Sequence, residues 1–329
     1  MKKYLYITLF IVTLTQVRGQ QREQYSQYIM NNYLINPAVS GSYTFWNARL
    51  GYRKQWVGFQ DNANGNQTNV GPRTMFATFH GPIKHPDNQR GRRKKSYHHG
   101  LGGYIYTDKT GPIAYNGLFG TYAFHQKLNR KTTLSFGVSG GLKEFKIYGE
   151  ELHFVQSTVD ELIGSTNQTK LIPDMNIGGW IHNDHFFGGL SVNQLLQNKL
   201  TIDNPNQVAN EALLKYHYFL TAGWIFQMSR LWYISPSAMV KYVSPAPVQF
   251  DLNLRLMYSD FVWAGISYRN KDAISLVVEY LFDNTFEIGY AFDYTISEIK
   301  NYSSNSHEVI VGVRFGDKKR QVICPAKFW

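Results

Sequence analysis

The chain has 329 residues, of which 43% are hydrophobic, 16% aromatic and 17% charged, with a formal net charge of +11. Low charge combined with high aromatic content departs from ordinary soluble composition, and the positive balance calls for an anionic partner: nucleic acid, lipid headgroups or an acidic protein face. The single cysteine, Cys324, excludes an intrachain disulfide, and beyond the N-terminus no apolar run reaches the roughly 20 residues of a membrane helix.

The first element, residues 1–19, reads as a secretory signal peptide. Lys2 and Lys3 form its positive region, Leu5 to Leu14 its apolar region, and Val17-Arg18-Gly19 ends on a small residue, so Gln20 starts the mature chain. The residue directly after Gly19 is Gln20 and not cysteine, which excludes a lipoprotein. Export removes nucleic acid from the partners that the positive charge suggests. Residues 20–41 form a polar, aromatic lead-in, either periplasmic or folded inward as a plug. Pro37 keeps Asn36 out of the helical region, and Gly41 loosens the chain before the first strand.

From Tyr43 onward the pattern is strands and turns. Residues 250–258 are the clearest case: Phe250, Leu252, Leu254, Leu256 and Tyr258 fall on one face, Asp251, Asn253 and Arg255 on the other. The same alternation predicts strands over 44–56, 73–80, 101–106, 114–125, 132–142, 175–182, 186–193, 216–226, 233–242, 261–268, 274–282, 286–293 and 309–315. That makes about fourteen, an even number in the range of outer-membrane barrels. A soluble sandwich alternates too, so strand pattern alone does not decide. Connection length does. An even count puts both barrel ends on the periplasmic side, and the short connections 127–131, 183–184, 228–231, 259–260 and 283–284 then fall on periplasmic parity. The long connections 57–71, 144–174, 194–214 and 294–306 fall on outer parity. The expected organisation is therefore an all-β transmembrane antiparallel barrel over residues 42–315, with a periplasmic tail over 316–329.

One connection breaks the sorting. Residues 81–99 sit on periplasmic parity yet are long, and they hold Arg90, Arg92, Arg93, Lys94 and Lys95. Two readings stand side by side: a solvated loop, or a docking surface for an acidic periplasmic protein or anionic headgroups. In the tail, either Phe315 ends the last strand or the strand resumes near Trp329; the first is favoured. Cys324 reads as an unpaired, inert thiol rather than a reactive one.

Several elements together resemble a known family. They are the lead-in with Asn36, Pro37, Ala38 and Gly41, then Tyr52-Arg53-Lys54-Gln55-Trp56-Val57-Gly58, then the terminal Cys324, Pro325 and Trp329. This combination resembles the PorP/SprF family, outer-membrane proteins of the type IX secretion and gliding-motility system. The resemblance implies a 14-stranded barrel that works with periplasmic ring proteins. It also implies a role in exporting or anchoring large surface proteins, such as adhesins, that bear a type-B C-terminal sorting domain. By that resemblance Asn36, Pro37, Ala38, Gly41, Tyr52, Arg53, Gln55, Trp56, Gly58, Cys324, Pro325 and Trp329 are the candidate partner-binding positions. The basic 81–99 segment is not part of the resemblance.

The inward faces predict a polar lumen lined by Arg49, Arg53, Asp251, Arg255, Glu279 and Glu287, filled by the lead-in. Nothing points to catalysis or to a cofactor. His98-His99, and His182 with His185, are placed in turns without a three-ligand geometry, and no phosphate loop, dinucleotide fingerprint or nucleophile elbow occurs in strand-to-helix context. The leading expectation is a non-enzymatic secretion and anchoring barrel in outer-membrane lipid. The alternative is a transport channel for small hydrophobic or polar solutes, and a weaker third is a barrel that tethers to peptidoglycan.

Overall fold

The computed structural model describes residues 23–61, 68–83, 96–151, 167–200, 212–259 and 261–316. Fourteen antiparallel strands close into a barrel. They are β1 Trp46–Lys54, β2 Arg73–Ile83, β3 Tyr97–Thr110, β4 Ile113–Lys127, β5 Thr133–Ile147, β6 Gln168–His182 and β7 Phe186–Asn193. Then come β8 His217–Trp224 with its continuation Phe226–Gln227, β9 Trp232–Val243, β10 Gln249–Tyr258, β11 Val262–Arg269, β12 Ala273–Phe282, β13 Phe286–Thr295 and β14 Ser306–Phe315. Each strand pairs with its neighbours in sequence, and β1 closes on β14 from Trp46 opposite Phe315 to Lys54 opposite His307. Closure leaves no open sheet edge, which a bilayer requires. The gap in β8 lies beside Pro236 of β9, a residue with no N–H to give to the ladder; the Ile225 amide donates instead to His185 O at 2.7 Å.

Burial is inverted relative to a soluble protein. In β10 Asp251, Asn253 and Arg255 are buried while Phe250, Leu252, Leu254, Leu256 and Tyr258 are exposed. The same inversion exposes Leu50, Leu118, Leu220, Leu276, Val278 and Ile288 around the wall. Aromatics cluster toward the strand ends of this outer face. Phe79, Trp224, Trp232, Phe282, Phe286 and Phe315 stand toward one rim, and Tyr52, Tyr218, Tyr242, Tyr268 and Tyr294 toward the other. Leucines in the middle and rings at both ends form the apolar band and interfacial girdles of an outer-membrane barrel.

The strands match the sequence reading in number and place, but β3 to β6 are longer, at 14 or 15 residues each. Their polar ends carry no alternation signal, so hydropathy alone stops short. The connections correct the simple sorting by length. Short turns do join β4 to β5, β6 to β7, β8 to β9 and β12 to β13 at the rim where β1 starts. At the other rim, however, β3–β4, β9–β10 and β11–β12 are also short, the first being only Gly111-Pro112. The long connections on that side lie elsewhere, and two of them carry small hairpins, Gln60–Asp61 with Thr68–Asn69 and Lys199–Leu200 with Ala212–Leu213. We call that rim the loop side and the other the turn side.

The lumen corrects a second expectation. Arg49, Arg53, Asp251, Arg255, Glu279 and Glu287 are buried inside as expected, but the interior is not uniformly polar. Trp180, Phe187, Met239, Met257, Trp263, Leu281 and Ile310 also point inward and pack with Tyr28, Ile29, Met30, Tyr33, Leu34 and Val39 of the lead-in. The lead-in brings apolar surface into the barrel, and that surface needs apolar partners.

Candidate functional site

The interior is built from the segment that precedes β1. Two short 3-10 turns, Asn32–Leu34 and Pro37–Val39, let residues 25–43 run down the barrel. Asn36 caps the second turn, its Oδ1 accepting from Ala38 N at 3.0 Å, and Pro37 supplies the fixed φ of a first helical position. The segment touches strands around most of the circumference. Tyr28 Oη accepts from Asn253 Nδ2 on β10 at 2.5 Å, Asn31 Nδ2 donates to Thr78 Oγ1 on β2 at 3.1 Å, and Tyr33 Oη donates to Thr121 Oγ1 on β4 at 2.7 Å. A gap left between Ile29, Met30, Arg49, Arg255 and Glu279 has a volume of about 10 Å3, room for one water at most.

Toward the loop side the segment is held by charge. Arg53 of β1 is 1% exposed and donates to Asp293 Oδ2 at 2.7 Å and Glu308 Oε2 at 3.2 Å. The two Glu308 oxygens accept the backbone amides of Ser26 at 2.7 Å and Gln27 at 3.0 Å, and the Ser26 hydroxyl donates to Asp293 Oδ2 at 2.6 Å and accepts from Arg53. Arg269 of β11 adds a donor to Tyr25 O at 3.4 Å and pairs with Asp272 at 3.0 Å, while Lys241 pairs with Asp251 at 2.8 Å. Lower on the wall Glu287 is shared by Arg49 and Arg314, and Arg255 pairs with Glu279. Unpaired, any of these ions would be costly to bury; paired and hydrogen-bonded, they fix one arrangement of backbone against wall.

Toward the turn side the segment is held by shape. Asn36, Pro37 and Ala38 lie against Gly137 of β5, Gly178 of β6 and Gly189 of β7. A Cβ on Gly137 would sit 2.4 Å from Ala38 N, one on Gly178 2.0 Å from Asn36 Oδ1, and one on Gly189 2.7 Å from Asn36 Nδ2. Asn36 Nδ2 donates to Gly179 O at 3.0 Å, and Ile35 O accepts from Ser191 Oγ at 2.8 Å and Asn193 Nδ2 at 3.2 Å. Below this cradle Gly41 has φ +78°, open to glycine at little cost, and a Cβ there would meet Gly100 Cα at 2.4 Å. His125 Nε2 donates to Ser40 O at 2.7 Å and His98 Nε2 to Gly41 O at 3.1 Å.

The candidate positions named from sequence thus divide. Asn36, Pro37, Ala38 and Gly41 are within the lumen segment; Arg53 and Gln55 are buried at the loop-side end of β1. Their hydrogen bonds close within the chain. Tyr52 is on the outer face. Trp56 and Gly58, both with positive φ, turn the chain away from β1, and Val57 exchanges backbone hydrogen bonds with the connection before β14, donating to Asn305 O and accepting from Ser304 N. Cys324, Pro325, Trp329 and the basic Arg90, Arg92, Arg93, Lys94 and Lys95 lie outside the described residues, as does the signal peptide. The histidines need correction: His98 and His99 are in β3 and His182 is in β6 rather than in turns, and His98 stacks on His125 with ring centroids 4.3 Å apart. Sequence reasoning missed Ser26, Gln27 and the glycine cradle; glycines at inward positions of three adjacent strands were the available signal.

Comparison with known proteins agrees with this architecture. The P. putida toluene transporter TodX has a similar fold at a TM-score of 0.51 and 10% identity, over 91% of this chain and 95% of that one. A Pseudomonas aeruginosa FadL homologue gives 0.45 at 11% identity, over 85% and 91%. No curated protein matches the sequence. The model of the family described as type IX secretion system membrane protein PorP/SprF matches residues 17–313. A closed outer-membrane barrel with that match over nearly its whole length belongs to the PorP/SprF family of type IX secretion system membrane proteins.

Proposed function

We propose that this barrel works as a closed platform rather than as a pore. It assists the export or surface anchoring of large proteins that bear a type-B C-terminal sorting domain, it acts with the periplasmic ring proteins of the secretion system, and it carries out no chemistry of its own. The observation behind this reading is the filled lumen. Residues 25–43 are packed and hydrogen-bonded along the barrel, so the surfaces left for a partner are the two rims and the lipid-facing wall. The long loop-side connections give the grip on a surface protein. The basic segment with Arg90, Arg92, Arg93, Lys94 and Lys95 falls on turn-side parity and suits an acidic ring protein.

The competing reading is a small-solute channel. Likeness in fold to TodX stands behind it, and the packed interior stands against it. Affinity capture of the full-length protein from native outer membranes, with identification of the bound species, separates the two. Recovery of a large surface protein and a ring component is the expected result. Recovery of the barrel with only a small apolar solute in its lumen overturns the platform. Replacing the five basic residues by serine tests the docking surface by itself: unchanged retention of every periplasmic partner removes it.

A further inference from the structure

The loop-side half of the outer face is not equivalent around the barrel. On β1 to β6 three successive rungs of outward residues can be read from the strand register. The first, Leu50–Ala77–Ile105–Leu118–Leu142–Pro173, is wholly apolar. The next, toward the loop side, is Tyr52–Met75–Thr107–Asn116–Glu144–Leu171. Here Asn116 accepts from Thr107 Oγ1 through its Oδ1 and donates to Glu144 Oε2 at 2.6 Å. The third is Lys54–Arg73–Lys109–Ala114–Lys146–Thr169. Four cations thus stand on four of five adjacent strands, about 7 Å along the strand from the polar rung and twice that from the apolar one.

Around the rest of the loop-side girdle, outward positions on β8 to β13 hold Tyr218, Tyr242, Phe250, Tyr268, Ile274 and Tyr294. The cation rung is therefore a local feature of one wall. Lys109 is engaged by Glu151 at 2.5 Å and by the Tyr148 ring, over which Lys146 also lies at 4.5 Å. No ion pair holds Lys54, Arg73 or Lys146 among the described residues. Beneath the rung a concavity of about 800 Å3 is bordered by Leu50, Ala77, Ile105 and Leu118 and, toward the cations, by Thr107, Asn116 and Glu144 of the polar rung. Ala77, between Leu50 and Ile105 in its rung, leaves the dip.

An apolar groove at bilayer depth, a band of amide and hydroxyl groups above it and a row of cations above that match one kind of molecule in layer order. We infer that this wall binds a phosphorylated glycolipid of the outer leaflet, with acyl chains in the Ala77 groove, sugar hydroxyls at Thr107 and Asn116, and phosphates on Lys54, Arg73 and Lys146. The negative groups near the strip are Glu144, hydrogen-bonded by Asn116, Glu151, paired with Lys109, and Glu150 beside it in the turn beyond β5. The glycolipid's phosphates supply the attraction, and the groove supplies selection against lipids too slender to fill it.

The test uses full-length protein in detergent with bis-phosphorylated lipid A and chemically dephosphorylated lipid A as probes, retention being read by native mass spectrometry. Folding of each variant is checked by heat-modifiable gel mobility. Wild type is expected to retain the phosphorylated lipid and to hold the dephosphorylated one at least about tenfold less. Lys54→Gln/Arg73→Gln/Lys146→Gln should fall to the dephosphorylated level, and Ala77→Trp, with all charges present, should weaken retention by filling the groove. Lys127→Gln/Lys131→Gln, at the turn side, should behave as wild type. Equal retention of the two lipids by wild type overturns the site even if no variant folds. Equal loss in the turn-side control overturns its location.

Discussion

Removing the Arg53 guanidinium tests whether charge holds the lumen segment. In Arg53→Ala, Asp293 and Glu308 stay buried, at 1% and 0% exposure, without their main counter-ion. Breaking a buried pair from one side costs about 3–5 kcal/mol, and Arg269, 3.9 Å from Asp293, recovers only part of it. Glu308→Gln keeps an acceptor for one of the Ser26 and Gln27 amides and leaves Arg53 its pair with Asp293, so it should cost less. Ser26→Ala, which deletes one hydroxyl between charged groups, should cost about 1.5–3 kcal/mol. Urea unfolding in detergent micelles gives the stabilities, and planar-bilayer recording gives the conductance. The same Arg53→Ala change is then made in protein lacking residues 21–33. Water can enter that lumen, the carboxylates become solvated, and the cost should shrink toward the exposed-pair value of about 0–1 kcal/mol. A full-length Arg53→Ala protein within about 1 kcal/mol of wild type and equally non-conducting would refute the latch. An equal cost in both backgrounds would show that Arg53 serves the wall and not the segment.

Other consequences follow from the same geometry. Deleting residues 21–33 should raise conductance in planar bilayers, and no rise counts against a sealing role for the segment. Gly137→Ala should destabilise by about 1–3 kcal/mol through overpacking against Ala38, whereas Gly120→Ala, with open space where its Cβ would go, should fall within about 0.5 kcal/mol of wild type. Glu23 interacts electrostatically with Asp108 and Tyr115 at the loop-side ends of β3 and β4. A Glu23→Cys/Cys324→Ser protein should therefore react with a membrane-impermeant maleimide on intact cells; labelling only after outer-membrane rupture would reverse the direction of the segment.

How legible this was depended on which physics each element uses. Residues 250–258 announce themselves because lipid on one side and ions on the other force a strict two-residue period. The same period fails at the loop-side ends of β3 to β6, where both faces meet polar surroundings and residues such as Lys146 and Thr169 carry no contrast. Arg53 was visible as an inward charge, but its partners Asp293 and Glu308 are 240 and 255 positions away, and nothing local marks such a pairing. The glycine cradle is harder still. Gly137, Gly178 and Gly189 are widely separated in sequence, and each alone reads as an ordinary strand glycine. The inward Trp180, Met257 and Trp263 blurred the polar-lumen expectation for a related reason: their partners arrive from the lead-in, outside the strands whose alternation was being read.

The two ends of the lumen segment are held by different forces, and that difference orders any movement. The turn-side end is a close fit of Asn36 to Ala38 against glycine backbone, joined by hydrogen bonds and by no ion pair among the described residues. Asn36 also leads through Gly41 directly into β1, so this end cannot leave without disturbing the first strand. The loop-side end is held by Arg53, Asp293, Glu308 and Arg269, whose attraction depends on exclusion of water. A partner that brings its own charge to the loop-side mouth, or that opens the mouth to solvent, weakens this grip and leaves the cradle intact. A displaced segment would leave from the loop side inward with Asn36-Pro37-Ala38 as the pivot. A cross-link between Asn31→Cys and Thr78→Cys, made in a Cys324→Ser background, divides the segment at its middle, where the native side chains are 3.1 Å apart. A closed platform predicts full secretion with the bond formed; secretion lost on oxidation and regained on reduction would mean that the segment has to move and would overturn the closed platform.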